Sequence, residues 1–456
     1  MVVVDINSYK SFTKDINRSD IFVDYIVKKH GCHTADNSVI SIFIKKINSN
    51  ETYVVNFLHQ DFPKIGMDSK TVMELITQSS NRAFVVDKKR FLNIFGNKNV
   101  NDLLIFEFQA GYTSADEVEL STNYHTFSKY KLGSNYRETN YVIPMSKHIE
   151  WFELKYAHFM GSIEEFEVDN SYNQLNGIIT ETLSEVECNG IYVDVIKFND
   201  YFKDKGTEID TPLVYTEYNI FTSTGRPSNR FNKINYAALN KDDGCRSAFV
   251  SRFSENGLLI SLDYSAYHPH IIANLINYKV EPGLNIYEYL GRSYFNKETL
   301  TPEDIKKSKN ITFQNLYGGI RDEYLHIDYF KKVSEYIDHR WKFFNKHGYV
   351  ETPVFKRRIT ENHISDPNPN KLFNYLLQAA ETEFSIQNID RINRYLRNKK
   401  SKVVLYTYDS ILIDVSKNDG VDTIRQIKNT MIDNQFPVKC YAGKNYNDLC
   451  EIQIKG

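Results

Sequence analysis

Three separated stretches carry the residue types that metal-dependent phosphoryl chemistry uses. The first is Leu259-Ile260-Ser261-Leu262-Asp263-Tyr264-Ser265-Ala266-Tyr267-His268, an apolar run that ends on a carboxylate. Ile271 to Ile276 continues at helical spacing. The pattern predicts a buried strand, a turn and a helix, with Asp263 at the strand end. Taken alone, Asp263 also fits a helix cap. The second stretch, Lys402 to Val415, reads apolar, Tyr-Asp-Ser, then apolar again, and predicts a hairpin with Asp409 at its tip. Two carboxylates far apart in sequence share one site once their strands lie side by side. Magnesium takes one or two carboxylates plus substrate phosphates. Two such ions clamp the attacking and leaving oxygens of an in-line phosphoryl displacement. The third stretch puts Lys309, Phe313 and Tyr317 four residues apart, on one helix face. A cation and two rings on one face suit a triphosphate below a stacked base.

The elements around these residues change character along the chain. Residues 1 to about 165 alternate strand-like and helix-like pieces: strands at Ile21–Val27, Val39–Lys46, Thr52–Leu58 and Ala83–Asp87, a helix at Met67–Gln78, and another apolar run at Asp102–Phe108. That alternation predicts an α/β domain. Around Tyr172 a helix begins, with Leu175, Ile178, Ile179, Leu183 and Val186 as its apolar stripe and Asn189-Gly190 as its end. The domain boundary is placed at 165–172. Leu284 to Phe295 and Pro302 to Gly318 read as further helices.

With 456 residues, two to four domains are expected. A hydrophobic content of 41% and a charged content of 25% are those of a globular protein. Asn, Lys, Ile and Tyr recur, a weak sign of an AT-rich genome. The net charge of −2 gives no whole-chain attraction to nucleic acid, so such a partner needs local basic patches. Five scattered cysteines with no CxxC pair, Cys32 beside His33 included, predict reduced thiols and a cytoplasmic location. No stretch has the length of a membrane span and no signal segment is visible, so no membrane partner is expected.

The order of the three stretches resembles the motifs of family A DNA polymerases, the polymerase I family. Its first motif begins Asp-Tyr-Ser, here Asp263-Tyr264-Ser265. Its second runs Lys, Phe, Tyr-Gly at the spacing of Lys309, Phe313 and Tyr317-Gly318. Its third has Asp at a hairpin tip, here Asp409. Flanking segments match in the same order: Thr224-Gly225-Arg226, Gly244-Cys245-Arg246-Ser247-Ala248-Phe249, Gly348-Tyr349-Val350-Glu351-Thr352 followed by Arg357-Arg358, and Asn374 with Gln378 on a helix. The resemblance covers about 172–456.

It implies a template-directed DNA polymerase acting on primer–template DNA and dNTPs. Asp263, Asp409 and the Tyr264 carbonyl would hold two Mg2+ ions, with Mn2+ able to substitute. Lys309 would act on the triphosphate, with Phe313 and Tyr317 near the new base pair. Arg246 is a triphosphate-side candidate. The family has an Arg where Ile305 stands, and Lys306 or Lys307 would substitute. Arg226, Arg358, Asn374, Gln378 and Tyr408 fall on the DNA side, together with Asn232 or Asn235; Asn235 is the one carried forward.

Four departures bear on these expectations. His268 replaces a Glu that packs under the sugar as a steric gate, and Pro269-His270-Ile271-Ile272 is similar to family B instead. Ser410 replaces the Glu after the third-motif Asp, and Tyr408 replaces a His. Only residues 195–213 stand where the family has a long thumb. The N-terminal order resembles the family's 3′–5′ exonuclease domain, but Asp24-Tyr25-Ile26 lacks the Glu of Asp-x-Glu, and Glu107 stands where an Asp is expected.

The expected fold is therefore an α/β, RNase H-like, degenerate exonuclease-type domain over 1–165, then an α+β right-hand polymerase domain over 166–456. Within the latter, a reduced thumb is placed at about 172–213, the palm at about 214–275 and 350–456, and the fingers at about 276–349. A processivity or replisome partner would supply the missing grip, or the N-terminal domain would, through Lys88-Lys89-Arg90 or the Lys129–Lys131 region. A viral or mobile-element source acting in the host cytoplasm is expected. Three other functions remain open. One is a ribonucleotide-accepting primase or RNA polymerase. Another is an inactive polymerase-fold DNA-binding subunit, which would not need both Asp residues. The last is a nuclease working through residues 1–165, which the missing carboxylates disfavour.

Overall fold

The structure is a computed structural model and describes residues 1–28, 33–110, 143–280, 285–432 and 436–454. Cys32, Leu284 and the Lys129–Lys131 region lie outside the described residues. The chain forms two compact units, Met1–Cys188 and Asn189–Gly456.

The first unit is built on a six-stranded mixed sheet in the order Val2–Val4, Thr52–Asn56, Ser38–Lys46, Asp20–Lys28, Arg82–Val85, Asn101–Asp102. Ser38–Lys46 runs antiparallel to both of its neighbours, and the remaining pairs are parallel. On one face Ile21, Val23, Ile42, Ile44 and Val55 pack with Phe12, Val72, Met73, Ile76 and Phe91 of three helices. On the other face Phe22 and Phe43 each stack on Phe152 of helix Met145–Glu164, with ring centroids 5.5 Å apart. A sheet covered on both sides explains why its strands read as unbroken apolar runs.

The packing division falls later than the 165–172 expected from the change of pattern. Helix Asn170–Asn189, which carries a π turn at Leu175–Ile179, is tied to the first unit. The Tyr172 hydroxyl lies 2.7 Å from the Asp102 backbone N–H. Lys89 pairs with Glu187 at 2.7 Å, and Lys88 with Glu181 at 3.3 Å. These pairs also count against Lys88-Lys89-Arg90 as a run that grips the duplex. Lys88 and Lys89 are 2% and 5% exposed, and each ammonium is already met by a carboxylate. Arg90 is half-buried beside Asp87.

The second unit is built on a five-stranded antiparallel sheet in the order Lys402–Thr407, Ser410–Ser416, Gly257–Tyr264, Val438–Gly443, Cys450–Glu451. Its central strand is the first chemistry-bearing stretch, and the hairpin beside it is the second. Helices Ile286–Phe295, Pro302–Gly318 and Asp328–His347 follow in sequence. Pro302 at the first helical position and a Thr301–Asp304 capping box start the helix that bears Lys309. The 28-residue helix Pro369–Leu396 starts likewise, on Asn368 as its cap and Pro369. Residues 195–213 form one short helix, Val195–Phe202, and a 3-10 turn. Phe198 and Phe202 bury into the core that also holds Phe249, Leu259 and Leu412.

Candidate active site

Sheet register decides where the two carboxylates go. Asp263, next to last on the central strand, is directly opposite Ser410 of the hairpin. The hairpin turn is only Tyr408 and Asp409, because Thr407 already pairs with Ser410. The Tyr264 N–H donates to the Asp409 carbonyl at 2.9 Å, which locks the tip against the strand end. Tyr408 adopts φ +62°, uncommon for a non-glycine residue. It is held there by Ser385, whose hydroxyl donates to the Tyr408 carbonyl at 3.1 Å, and by Arg226, stacked 4.3 Å above its ring. Backbone strain of this kind persists where surrounding contacts over-determine it.

Side chains alternate across a strand, so Asp263 shares a face with Ser261, while Tyr264 points the other way. The Ser261 hydroxyl lies 3.3 Å from Asp263 Oδ1 and 3.2 Å from the Ser410 hydroxyl. The Tyr264 ring is buried against Tyr267, centroids 4.0 Å apart, and its hydroxyl accepts from Asn388 at 2.7 Å. Only the main chain of Tyr264 is therefore left to serve a metal or nucleotide. Burial pushes the Asp263 carboxyl up despite bonds from Ser410 and Ser261. Asp409 is pushed up by desolvation, by the Glu381 charge and by Asp263 itself. Two buried carboxyls held above their usual range, Asp409 also facing the Asp263 charge, form a site whose cost a divalent cation would relieve. No group of three or more His, Cys, Asp or Glu among the described residues is arranged to hold a metal. Carboxylate ligation would thus rest on this pair.

The third stretch forms the expected face. Phe313 and Tyr317 stack at 5.6 Å with an 18° interplanar angle, and the Lys309 ammonium lies 5.6 Å from the Phe313 centroid. Lys309 and Lys306 are exposed. Tyr317 is joined to the central-strand side by a short hydrogen bond with His268 Nδ1. Its carbonyl accepts from Asn374 at 3.5 Å, while Asn374 Oδ1 is buried without a partner. Gln378, one turn on, is half-buried.

The remaining candidates are placed unevenly. Arg226 is an ion-pair partner of Glu381, donating from Nε at 2.7 Å and from Nη2. Arg246 forks onto the Leu239 carbonyl at 3.0 and 2.7 Å and lies over the Tyr446 ring, its charge also felt at Asp263. Asn235 caps a short 3-10 turn, accepting from the Ala237 N–H at 3.2 Å. Arg358 is exposed, 4.0 Å from Glu351 and over the Tyr349 ring.

Sequence reasoning missed three buried charges. Arg357, beside Arg358, is 3% exposed and donates to the Thr222 and Ser223 carbonyls at 3.4 and 3.3 Å. Glu383 accepts from the Val354 and Phe355 N–H groups. Glu381 meets Arg226 and His268. The signal was periodicity: Glu383 falls on the stripe Leu376, Ala379, Ile386, and Glu381 lies one turn after Leu377, both core-facing positions.

No family model matches the chain. DNA polymerase I of Chloroflexus aurantiacus is 21% identical over 297 residues, covering 56% of this chain and 31% of that protein. DNA polymerase I of Borreliella burgdorferi is 25% identical over 291 residues, 53% of this chain and 31% of that protein. The chain thus spans about a third of the length of these curated relatives. Among solved structures, the POL domain of Pol1 from M. smegmatis, in complex with DNA primer-template and dNTP, is similar with a TM-score of 0.67 at 13% identity. That likeness covers 98% of this chain and 99% of that one, and it shows the fold.

Proposed function

We propose that this chain is a template-directed DNA polymerase that adds dNTPs to a primer 3′ end by two-metal phosphoryl transfer. The observation that carries the reading is the junction of Asp263 and Asp409, locked by the Tyr264 N–H to Asp409 carbonyl bond. Two Mg2+ ions, or Mn2+, held by Asp263, Asp409 and the Tyr264 carbonyl would activate the primer hydroxyl and neutralise charge on the leaving pyrophosphate. Lys309 places a mobile point charge for the triphosphate. Lys306, three residues and about one turn before Lys309, is a second cation for the triphosphate. Phe313 and Tyr317 offer a stacked surface to the new base pair. Arg226, Tyr408, Asn235, Arg358, Asn374 and Gln378 are assigned to the primer–template. The amides of Asn374 and Gln378 suit minor-groove acceptors, which every base pair presents. Arg246 is assigned to the triphosphate side, where its charge also lowers the Asp263 carboxyl.

The finer assignments belong to the same proposal. Residues 1–165 are a degenerate exonuclease-like domain that does not proofread, and 166–456 the polymerase domain. Asp24, the one carboxylate kept from Asp-x-Glu, is buried against Lys155 at 2.7 Å, so an ammonium already neutralises it. Glu107 is held by Ser162 at 2.7 Å. The thumb is reduced, to about residues 172–213, leaving duplex grip to a partner or to the N-terminal domain. No described helix is long and apolar enough to cross a membrane.

The test is primer extension with dNTPs and, separately, NTPs at graded magnesium. Template-directed, magnesium-dependent extension with dNTPs is expected. Extension favouring NTPs would replace the reading by a ribonucleotide polymerase, and primer–template binding without extension would replace it by an inactive binding subunit.

A further inference from the structure

Glu381 sits in the middle of helix Pro369–Leu396 and is 2% exposed. An ionised carboxylate so deeply buried is costly unless cations and donors meet it. Arg226 meets it from Nε at 2.7 Å and from Nη2. His268 Nε2 lies 3.2 Å from its other oxygen. Burial pushes the Glu381 carboxyl up, but His268 and Arg226 outweigh it and leave it below the usual range.

Both partners of Glu381 lead outward to residues of the proposed site. His268 passes through Nδ1 to the Tyr317 hydroxyl, and Tyr317 stacks on Phe313. Arg226 stacks on Tyr408, which sits beside Asp409 in the hairpin turn. The His268 ring thus has one nitrogen on Tyr317 and the other beside a carboxylate. Such an arrangement fixes the plane of an imidazole in the way outer carboxylates orient functional histidines.

We infer that Glu381 is a positioning residue for sugar selection, holding His268 against Tyr317 while clamping Arg226 beside the hairpin tip. The inference rests on the polymerase reading above. A 2′-hydroxyl adds one oxygen, and a wall excludes one oxygen only if its atoms are fixed to within a fraction of an ångström. Without Glu381 the ring keeps one tether and can swing about its Cβ–Cγ bond. The carboxylate needed for selection is therefore carried on the long helix, 113 positions after His268.

The experiment is single-nucleotide primer extension with dNTP and NTP, giving kcat and KM separately for wild type, Glu381→Gln, His268→Ala and the double variant. Glu381→Gln keeps the shape and removes the charge. The dNTP/NTP ratio of kcat/KM should fall about tenfold or more, as the ring loses the charged neighbour 3.2 Å from its Nε2. The fall should come mainly from a lower KM for NTP. His268→Ala should give a similar fall, and the double variant no more than His268→Ala alone, because both act through one ring. An unchanged ratio in Glu381→Gln, with both substrates slowed equally, would overturn the inference and leave the polymerase reading standing. Additive losses in the double variant would also overturn it. Should Glu381→Gln lose cooperative melting, His268→Gln, which leaves the Glu381–Arg226 pair intact, carries the same ratio test. A wild type that neither extends primer nor binds dNTP on primer–template sinks the polymerase reading and this inference together.

Discussion

Replacing Gly225 by alanine should destabilise the second unit more than replacing Gly348, and the reason is Arg357. Gly225 has φ +76°, and a Cβ built on it would lie 2.7 Å from Arg357 Nη2 and 3.1 Å from Cζ. The left-handed conformation costs an alanine about 1–2 kcal/mol. The clash adds to that, because Arg357 is not a flexible surface arm. It is buried, and its guanidinium donates to the Thr222 and Ser223 carbonyls of the same loop. Moving it breaks at least one hydrogen bond to a charged group, about 1.5–3 kcal/mol. The sum is about 2.5–5 kcal/mol, a large share of a domain's usual stability. Gly348 is the control: it too is left-handed, at φ +73°, but nothing lies within 4 Å of its Cβ position. Gly348→Ala should cost about 1–2 kcal/mol. Guanidinium unfolding of both variants, read as midpoint shifts at constant slope, measures the difference. Equal shifts would refute the idea that Arg357 braces this loop. Arg226 is the next residue, so extension should also fall further in Gly225→Ala than in Gly348→Ala.

Other outcomes follow from the site. Asp263→Asn or Asp409→Asn should abolish extension, by about a thousandfold or more for several kcal/mol of lost charge stabilisation, with melting and DNA binding nearly unchanged. Ser410→Ala should cost far less, and wild-type-like rates in either Asn variant would end the polymerase assignment. Both carboxyls are held above their ordinary range, chiefly by burial. Protons should therefore compete with metal on the acid side: the magnesium concentration for half-maximal rate should rise as pH falls, and a pH-independent value would contradict the raised carboxyls. Labelled single-stranded DNA incubated with magnesium or manganese and no dNTP should not be shortened from its 3′ end; shortening that survives Asp409→Asn would show a working exonuclease. Under a DNA trap the full chain should release primer–template after short, salt-sensitive extension. Long products from a chain lacking residues 1–165 would refute the missing grip.

The sequence by itself made the elements that carry the candidate residues legible, because local patterns encode them. An apolar run ending in Asp263, a palindrome of apolar residues around Asp409, and a helical spacing of Lys309, Phe313 and Tyr317 each follow from strand and helix periodicity. The elements appear where those patterns put them: strand Gly257–Tyr264, the hairpin strands Lys402–Thr407 and Ser410–Ser416, and helix Pro302–Gly318. Pairing of Asp263 with Ser410 needed the tertiary structure, because register between strands nearly 150 residues apart is set by which faces bury. Charge was the least legible property. Lys88 and Lys89 look like a solvated basic run, yet each is buried against a glutamate from a helix about ninety residues later. Arg226 reads as a DNA-side residue, and nothing in the sequence tells that its guanidinium is also held by Glu381 and the Tyr408 ring. A charged side chain's role depends on which opposite charge the fold brings within about 4 Å, and neither composition nor spacing records that distance.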